Sequence, residues 1–89
     1  MQVEFFKRVP EVVEAKAGDQ TFLLHVNDWV YLELNESASR IWALLEDAKS
    51  VDDVTSDLVR EFAVSPETCA AETREFLDLL KEKHFVSVS

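Results

Sequence analysis

The sequence predicts an α+β domain in which a three-stranded antiparallel sheet precedes three helices. Three observations carry this reading. Apolar residues recur at period two from Val12 to Leu34, then at helical spacing from Asn35 onward. The few backbone breakers, Gly18, Pro10 and Pro66, leave no room for an interdomain linker. With 89 residues, of which 47% are apolar and 10% aromatic, the chain suffices for one small folded domain spanning residues 1–89.

The first strand is Val12–Ala17, where Val13, Ala15 and Ala17 alternate with Glu14 and Lys16 as in a half-buried strand. Ala17-Gly18-Asp19-Gln20 supplies a turn, with Gly18 free to take positive φ. In the second strand Phe22, Leu24 and Val26 alternate with Leu23 and His25. Asn27-Asp28 reads as a two-residue hairpin loop, and Trp29–Leu34 as the third strand. Short connections make consecutive strands neighbours, so the order is 1-2-3.

Asn35 reads as the N-cap of a first helix, whose Ala38, Ile41, Trp42 and Leu45 fall on one face. Ser50 caps a second helix, with Asp52 and Asp53 in its first turn and Val51, Val54, Leu58 and Phe62 as its apolar stripe. Ser65-Pro66-Glu67 starts a third, with Cys69, Thr73, Phe76, Leu77 and Leu80 on one face and Lys81 and Lys83 near its end. Phe85-Val86-Ser87-Val88 forms either a short terminal strand or a segment packed beneath the helices.

Charge and inventory exclude several functions. Eighteen acidic against nine basic residues give a net charge of −9, which opposes binding to nucleic-acid phosphates and to anionic membranes. The single cysteine, Cys69, makes no internal disulfide and suits a cytoplasmic setting. No apolar run resembles a signal peptide or a membrane span. His25 and His84 lie on distant elements without a metal-ligand partner at i+3 or i+4, so both read as ordinary, partly exposed residues. Cys69 lies on an apolar stripe, where free cysteine behaves as a small hydrophobe. Asp53 and Asp57 share a helix face opposite the apolar stripe, which marks a solvated surface rather than an acid–base pair. A single glycine makes no phosphate loop. The inventory therefore points to no catalytic residues, no metal and no cofactor.

The third strand is the informative one. In a 1-2-3 sheet it is an edge, with large β-formers, no proline, no lysine and Glu33 as its one interior charge. Such edges are usually blunted, because their unpaired N–H and C=O groups recruit other chains. An open edge suits β-augmentation, in which an extended peptide adds as a further strand. Two alternatives are that Phe85–Val88 pairs with the edge or that a helix covers it. An open edge also permits homodimers.

Tyr31-Leu32-Glu33-Leu34-Asn35, followed by Ala38-Ser39-Arg40-Ile41-Trp42-Ala43-Leu44-Leu45, resembles the "LN…IW.LL" signature of the PqqD-like family. The likeness continues through Ser50–Val54, Leu58–Phe62, Val64–Glu67, Glu72 and Phe76–Leu80, and covers about Val9 to Val86. That family contains the pyrroloquinoline quinone biosynthesis protein PqqD and the leader-peptide recognition elements of ribosomally made, post-translationally modified peptides. The resemblance implies a winged-helix-like fold and a non-catalytic role. It also implies that a precursor's leader adds to the third strand, in a groove with the third helix. The partner would be a radical SAM enzyme, a leader protease of a lasso peptide pathway, or another modifying enzyme.

Carried over by position, the edge is Asp28, Trp29, Val30, Tyr31, Leu32, Glu33 and Leu34. The wall comes from Cys69, Glu72, Thr73, Phe76, Leu77 and Leu80, and spacing does not divide these between groove and core. Relatives commonly have a glycine where His84 stands. The competing readings are a DNA-binding winged helix, which the acidic third helix opposes, another protein-binding adaptor, and a small enzyme, for which no constellation of polar residues exists.

Overall fold

Turn and cap chemistry divides the chain, and the computed structural model, which describes residues 3–89, shows where each division falls. The order is β1 (Phe6–Arg8), β2 (Val12–Ala17), β3 (Gln20–His25), β4 (Val30–Leu34), α1 (Glu36–Leu44), α2 (Val51–Phe62), α3 (Pro66–Glu82) and β5 (Val86–Val88). β2, β3 and β4 form the expected antiparallel sheet in sequential order. Gly18 takes φ 64° between β2 and β3, a conformation that costs glycine no steric penalty.

Two features depart from the sequence reading. β1 and β5, three residues each, form a second antiparallel sheet with Phe6 opposite Val88 and Arg8 opposite Val86. The C-terminal segment is thus a strand, paired with β1 and not with β4. The hairpin loop between β3 and β4 has four residues, Val26–Trp29, since His25 pairs with Val30. Trp29 stands outside the strand at φ 55°, and its N–H donates to the His25 carbonyl at 2.8 Å.

Register fixes the two faces of the sheet, because directly opposed residues share a face. Thr21, Leu23 and His25 face the core and are buried; Leu32 and Val30, opposite Leu23 and His25, share that face. Phe22, Leu24 and Tyr31 occupy the outer face, where the Phe22 and Tyr31 rings stack at 6.2 Å. β2 is less buried than its alternation predicts. Only Val12 is half-buried, and Val13 is 58% exposed on the outer face.

The helices begin as their caps predict. Asn35 Oδ1 accepts the Ala38 N–H at 2.9 Å. Ser50 and Asp53 form a reciprocal capping box at 3.1 Å in both directions, a device contributing about 1 kcal/mol. The Ser50 backbone N–H, then its hydroxyl, hold the Asp53 carboxyl below the usual range. Asp57 pairs with Arg60 and, at 3.9 Å, with Lys49. These two acids are therefore occupied structurally.

α3 ends in a left-handed turn. His84 takes φ 69°, the Phe85 N–H donates to the Leu80 carbonyl at 2.9 Å, and the His84 N–H to that of Lys81 at 3.2 Å. This is the six-to-one and five-to-two pattern that glycine usually serves. The hydrogen bonds and the buried Phe85 impose it here on histidine. The core joins Phe6, Leu23, Leu34, Ile41, Trp42, Leu45, Val54, Leu58, Cys69, Leu77, Leu80, Phe85 and Val86. Arg8 straps its margin, donating twice to the Trp42 carbonyl at 2.7 and 2.9 Å and lying 4.8 Å from the indole centroid.

Candidate functional site

β4 pairs with β3 along one side only, which leaves its other backbone edge without a strand among the described residues. Its core-facing residues are apolar: Val30 and Leu32 are half-buried and Leu34 is buried. Tyr31, 57% exposed, and Glu33 face outward. Such an edge offers main-chain hydrogen bonds to an extended segment, with side chains alternating toward the helices and toward solvent.

At the end of β4 the chain enters α1 through Asn35, and a cleft of about 670 Å³ opens between α1, the end of α2 and the first half of α3. Its floor is apolar and buried: Ile41, Leu58 and Cys69. Phe62 and Val64, 39% and 43% exposed, and the half-buried Phe76 form its walls. Asn35, Ser65, Thr68 and Glu72 supply a polar rim. The turn between α2 and α3 makes this geometry. Ala63 caps α2 at φ 51°, reversing the chain so that Phe62 and Val64 flank the start of α3. A second, shallower cleft of about 470 Å³ runs along α3 between Glu72 and Glu82 and meets the first at Glu72 and Phe76.

The two sides of the site are joined at the opposite end. The Asp28 N–H donates to His25 Nδ1 at 3.3 Å, and the Asp28 carboxylate lies 3.8 Å from that nitrogen and 3.9 Å from His84 Nδ1. The β3–β4 loop is thereby tied to the exit of α3. His25, expected to be partly exposed, is buried and packs edge-on against Phe85 at 5.9 Å; His84 is exposed as expected. Burial follows because His25 falls on the core face of β3 and the loop's own backbone satisfies its ring.

The residues singled out from the sequence separate into four places. Val30, Tyr31, Leu32, Glu33 and Leu34 form β4, while Asp28 and Trp29 lie in the preceding loop. Cys69, Glu72, Thr73 and Phe76 line the cleft. Leu77 and Leu80 are fully enclosed in the core. Ile41, Leu58, Phe62 and Val64 are cleft residues that the sequence reading did not assign to it. Phe62 carried a signal: an aromatic residue in the last turn of α2, just before a breaker-rich Ser65-Pro66, overhangs the core. Among the described residues, no group of three or more His, Cys, Asp or Glu is arranged to hold a metal ion.

Known proteins are similar to this chain in fold. The family described as coenzyme PQQ synthesis protein D (PqqD) matches residues 20–86. A solved structure of TbiB1 in complex with the TbiA(beta) leader peptide is similar at TM-score 0.82 and 32% identity, covering 91% of this chain and 94% of that one. A lasso peptide synthetase B1 complexed with the leader peptide is similar at TM-score 0.79 and 27% identity, covering 92% and 96%. A search of curated proteins returns no significant match. The family match spans β3 to β5 and includes both the open strand and the helix beside it: this chain belongs to the PqqD family.

Proposed function

We propose that this chain is a peptide-recognition domain that captures the leader segment of a precursor peptide as an added strand on β4. The observation that carries the reading is the unpaired β4 edge beside an apolar cleft, in a fold shared with two solved leader-peptide complexes. The leader's backbone pairs with Val30–Leu34 while its core-facing side chains enter the cleft walled by Phe62 and Phe76. Asp28 and Trp29 flank one end of the strand, and Cys69, Glu72 and Thr73 line the α3 side. Leu77 and Leu80 hold α3 in place from the core.

The role is presentation, not catalysis. The bound precursor is offered to a modifying enzyme or leader protease of the same pathway in the cytoplasm, and no cofactor takes part. A leader disordered in solution is ordered on binding, which costs about 2–5 kcal/mol of the gross interaction energy. Dissociation constants near micromolar follow, about −8 kcal/mol net.

The test is an NMR titration of the chain with its cognate leader, together with Tyr31→Pro and Leu32→Pro. Alternate residues of β4 aim their N–H groups at β3 and at the open edge. One of the two prolines therefore removes an edge donor while leaving the β3 pairing in place. Shifts concentrated on Val30–Leu34 and α3 are expected, with binding lost by tenfold or more in the folded proline variant. Parental affinity in both folded variants sinks strand addition at this edge.

A further inference from the structure

We infer that the captured leader carries an aromatic side chain at the outward-facing position beside Tyr31, so that the domain reads both faces of the added strand. This deepens the strand-addition reading and rests on it. Side chains of an extended segment alternate between faces, so only half of the leader's turn toward the cleft. The other half extend the outer face of the sheet, and register fixes what they meet there.

That face is built in rows. Val13 lies opposite Leu24 and Leu24 opposite Tyr31, so the three form one apolar row across β2, β3 and β4. The next row, Ala15, Phe22 and Glu33, ends in a carboxylate. At the open edge the first row therefore offers a ring and the second a charge. Tyr31 is 57% exposed despite its stack on Phe22. Phe22 belongs to β3 and takes the flank of Tyr31 that is turned into the sheet. The flank turned to the open edge has no aromatic partner among the described residues. Trp29 does not supply one, since it stands in left-handed backbone before the strand and is 77% exposed.

An added strand supplies the missing neighbour at the right distance. Adjacent strands lie about 4.8 Å apart, inside the range of roughly 4.5–7 Å over which ring centroids stack. The Phe22 and Tyr31 planes differ by 21°, so a third ring on the edge side continues a stack already begun. Phe22 also holds the Tyr31 ring in place before the leader arrives, which lowers the cost of ordering it on binding. An aliphatic side chain at the same position would cover the flank without the ring–ring attraction.

The experiment uses two synthetic twelve-residue peptides with the same apolar β-formers at alternate positions and threonine between them. In the second peptide one central threonine is replaced by phenylalanine. Each is titrated into the full chain by fluorescence anisotropy, with NMR shifts on Val30–Leu34 reporting strand addition. The Phe peptide is expected to bind about three- to tenfold more tightly than the Thr peptide. In Tyr31→Thr, which keeps a β-forming residue at the edge, the two peptides are expected to bind alike. Val13→Thr, at the far end of the same row, is expected to keep the preference. Both substitutions replace exposed side chains, and circular dichroism checks that each variant stays folded. Equal binding of the two peptides to the parent chain, a preference that survives Tyr31→Thr, or one lost in Val13→Thr overturns the inference while strand addition stands. Binding by neither peptide, or binding without shifts on β4, overturns strand addition and this inference with it.

Discussion

Among the described residues the sheet has two open edges, and they are built differently. β2 places Glu14 and Lys16 on the same face as Leu23 and Thr21, so its charges point toward the core side of the edge. Glu14 is further held by Arg8 at 3.3 Å. A chain adding beside β2 would have to desolvate those charges, which is a common way of protecting an edge. β4 places Val30, Leu32 and Leu34 on that face and turns Glu33 outward. Asn35, directly after β4, lines the cleft, whereas no β2 residue does among those described. Openness alone therefore does not make a binding edge. The side chains facing inward determine whether an incoming strand meets apolar surface or buried charge.

Giving β4 the character of β2 should produce the largest effect. Leu32→Lys puts a charge on the core-facing side of the β4 edge, and leader affinity is expected to fall at least tenfold by calorimetry while circular dichroism stays native. Unchanged affinity would end the distinction between the edges. Phe62→Ala removes a cleft wall without touching either edge. A partly exposed aromatic costs less than the 3–5 kcal/mol of a fully buried one, so binding should weaken about three- to tenfold with stability changed by less than about 1 kcal/mol. The reverse conversion, Lys16→Val, unmasks β2. Leader affinity should hold, while concentration-dependent self-association appears by sedimentation.

His84→Gly is smaller still. Glycine relieves the left-handed backbone at the α3 exit, and a gain of about 0.5–1 kcal/mol in urea unfolding is expected. The smallest effect is on pH. Asp53 and Glu61 are both held below the usual carboxylate range, the first by Ser50 and the second chiefly by hydrogen bonds from Arg40. Their stabilisation is complete above the ordinary carboxylate pKa of about 4 and is lost as pH falls through the lowered folded values. Asp53→Asn should flatten part of that acid limb in urea midpoints measured against pH.

Features encoded within one turn of chain were legible. Asn35, Ser50 and Ser65-Pro66 all start helices where their chemistry says, and Gly18 turns where its freedom allows. Features set by distant partners were not. β1 and β5 are too short to display a period, and each becomes a strand only by pairing with the other across nearly the whole chain. Trp29 in a left-handed conformation defeats pattern reading, since aromatic residues rarely adopt it; the closing bond to His25 holds it there. The cleft draws on three helices at once, so its α1 and α2 residues looked like ordinary core positions, whereas the open edge was visible in one strand.

The pairing of β1 with β5 has a consequence for assembly. Phe5 and Ser89 exchange backbone hydrogen bonds at 3.0 Å in both directions, so the two ends of the described fold sit on a single rung. A domain whose entry and exit points coincide can be spliced into a surface loop of another protein with little distortion of either. The β4 edge is in the other sheet, clear of that seam, and remains available to a peptide after such grafting. The architecture is therefore portable: peptide capture can be transplanted into another protein as a cassette.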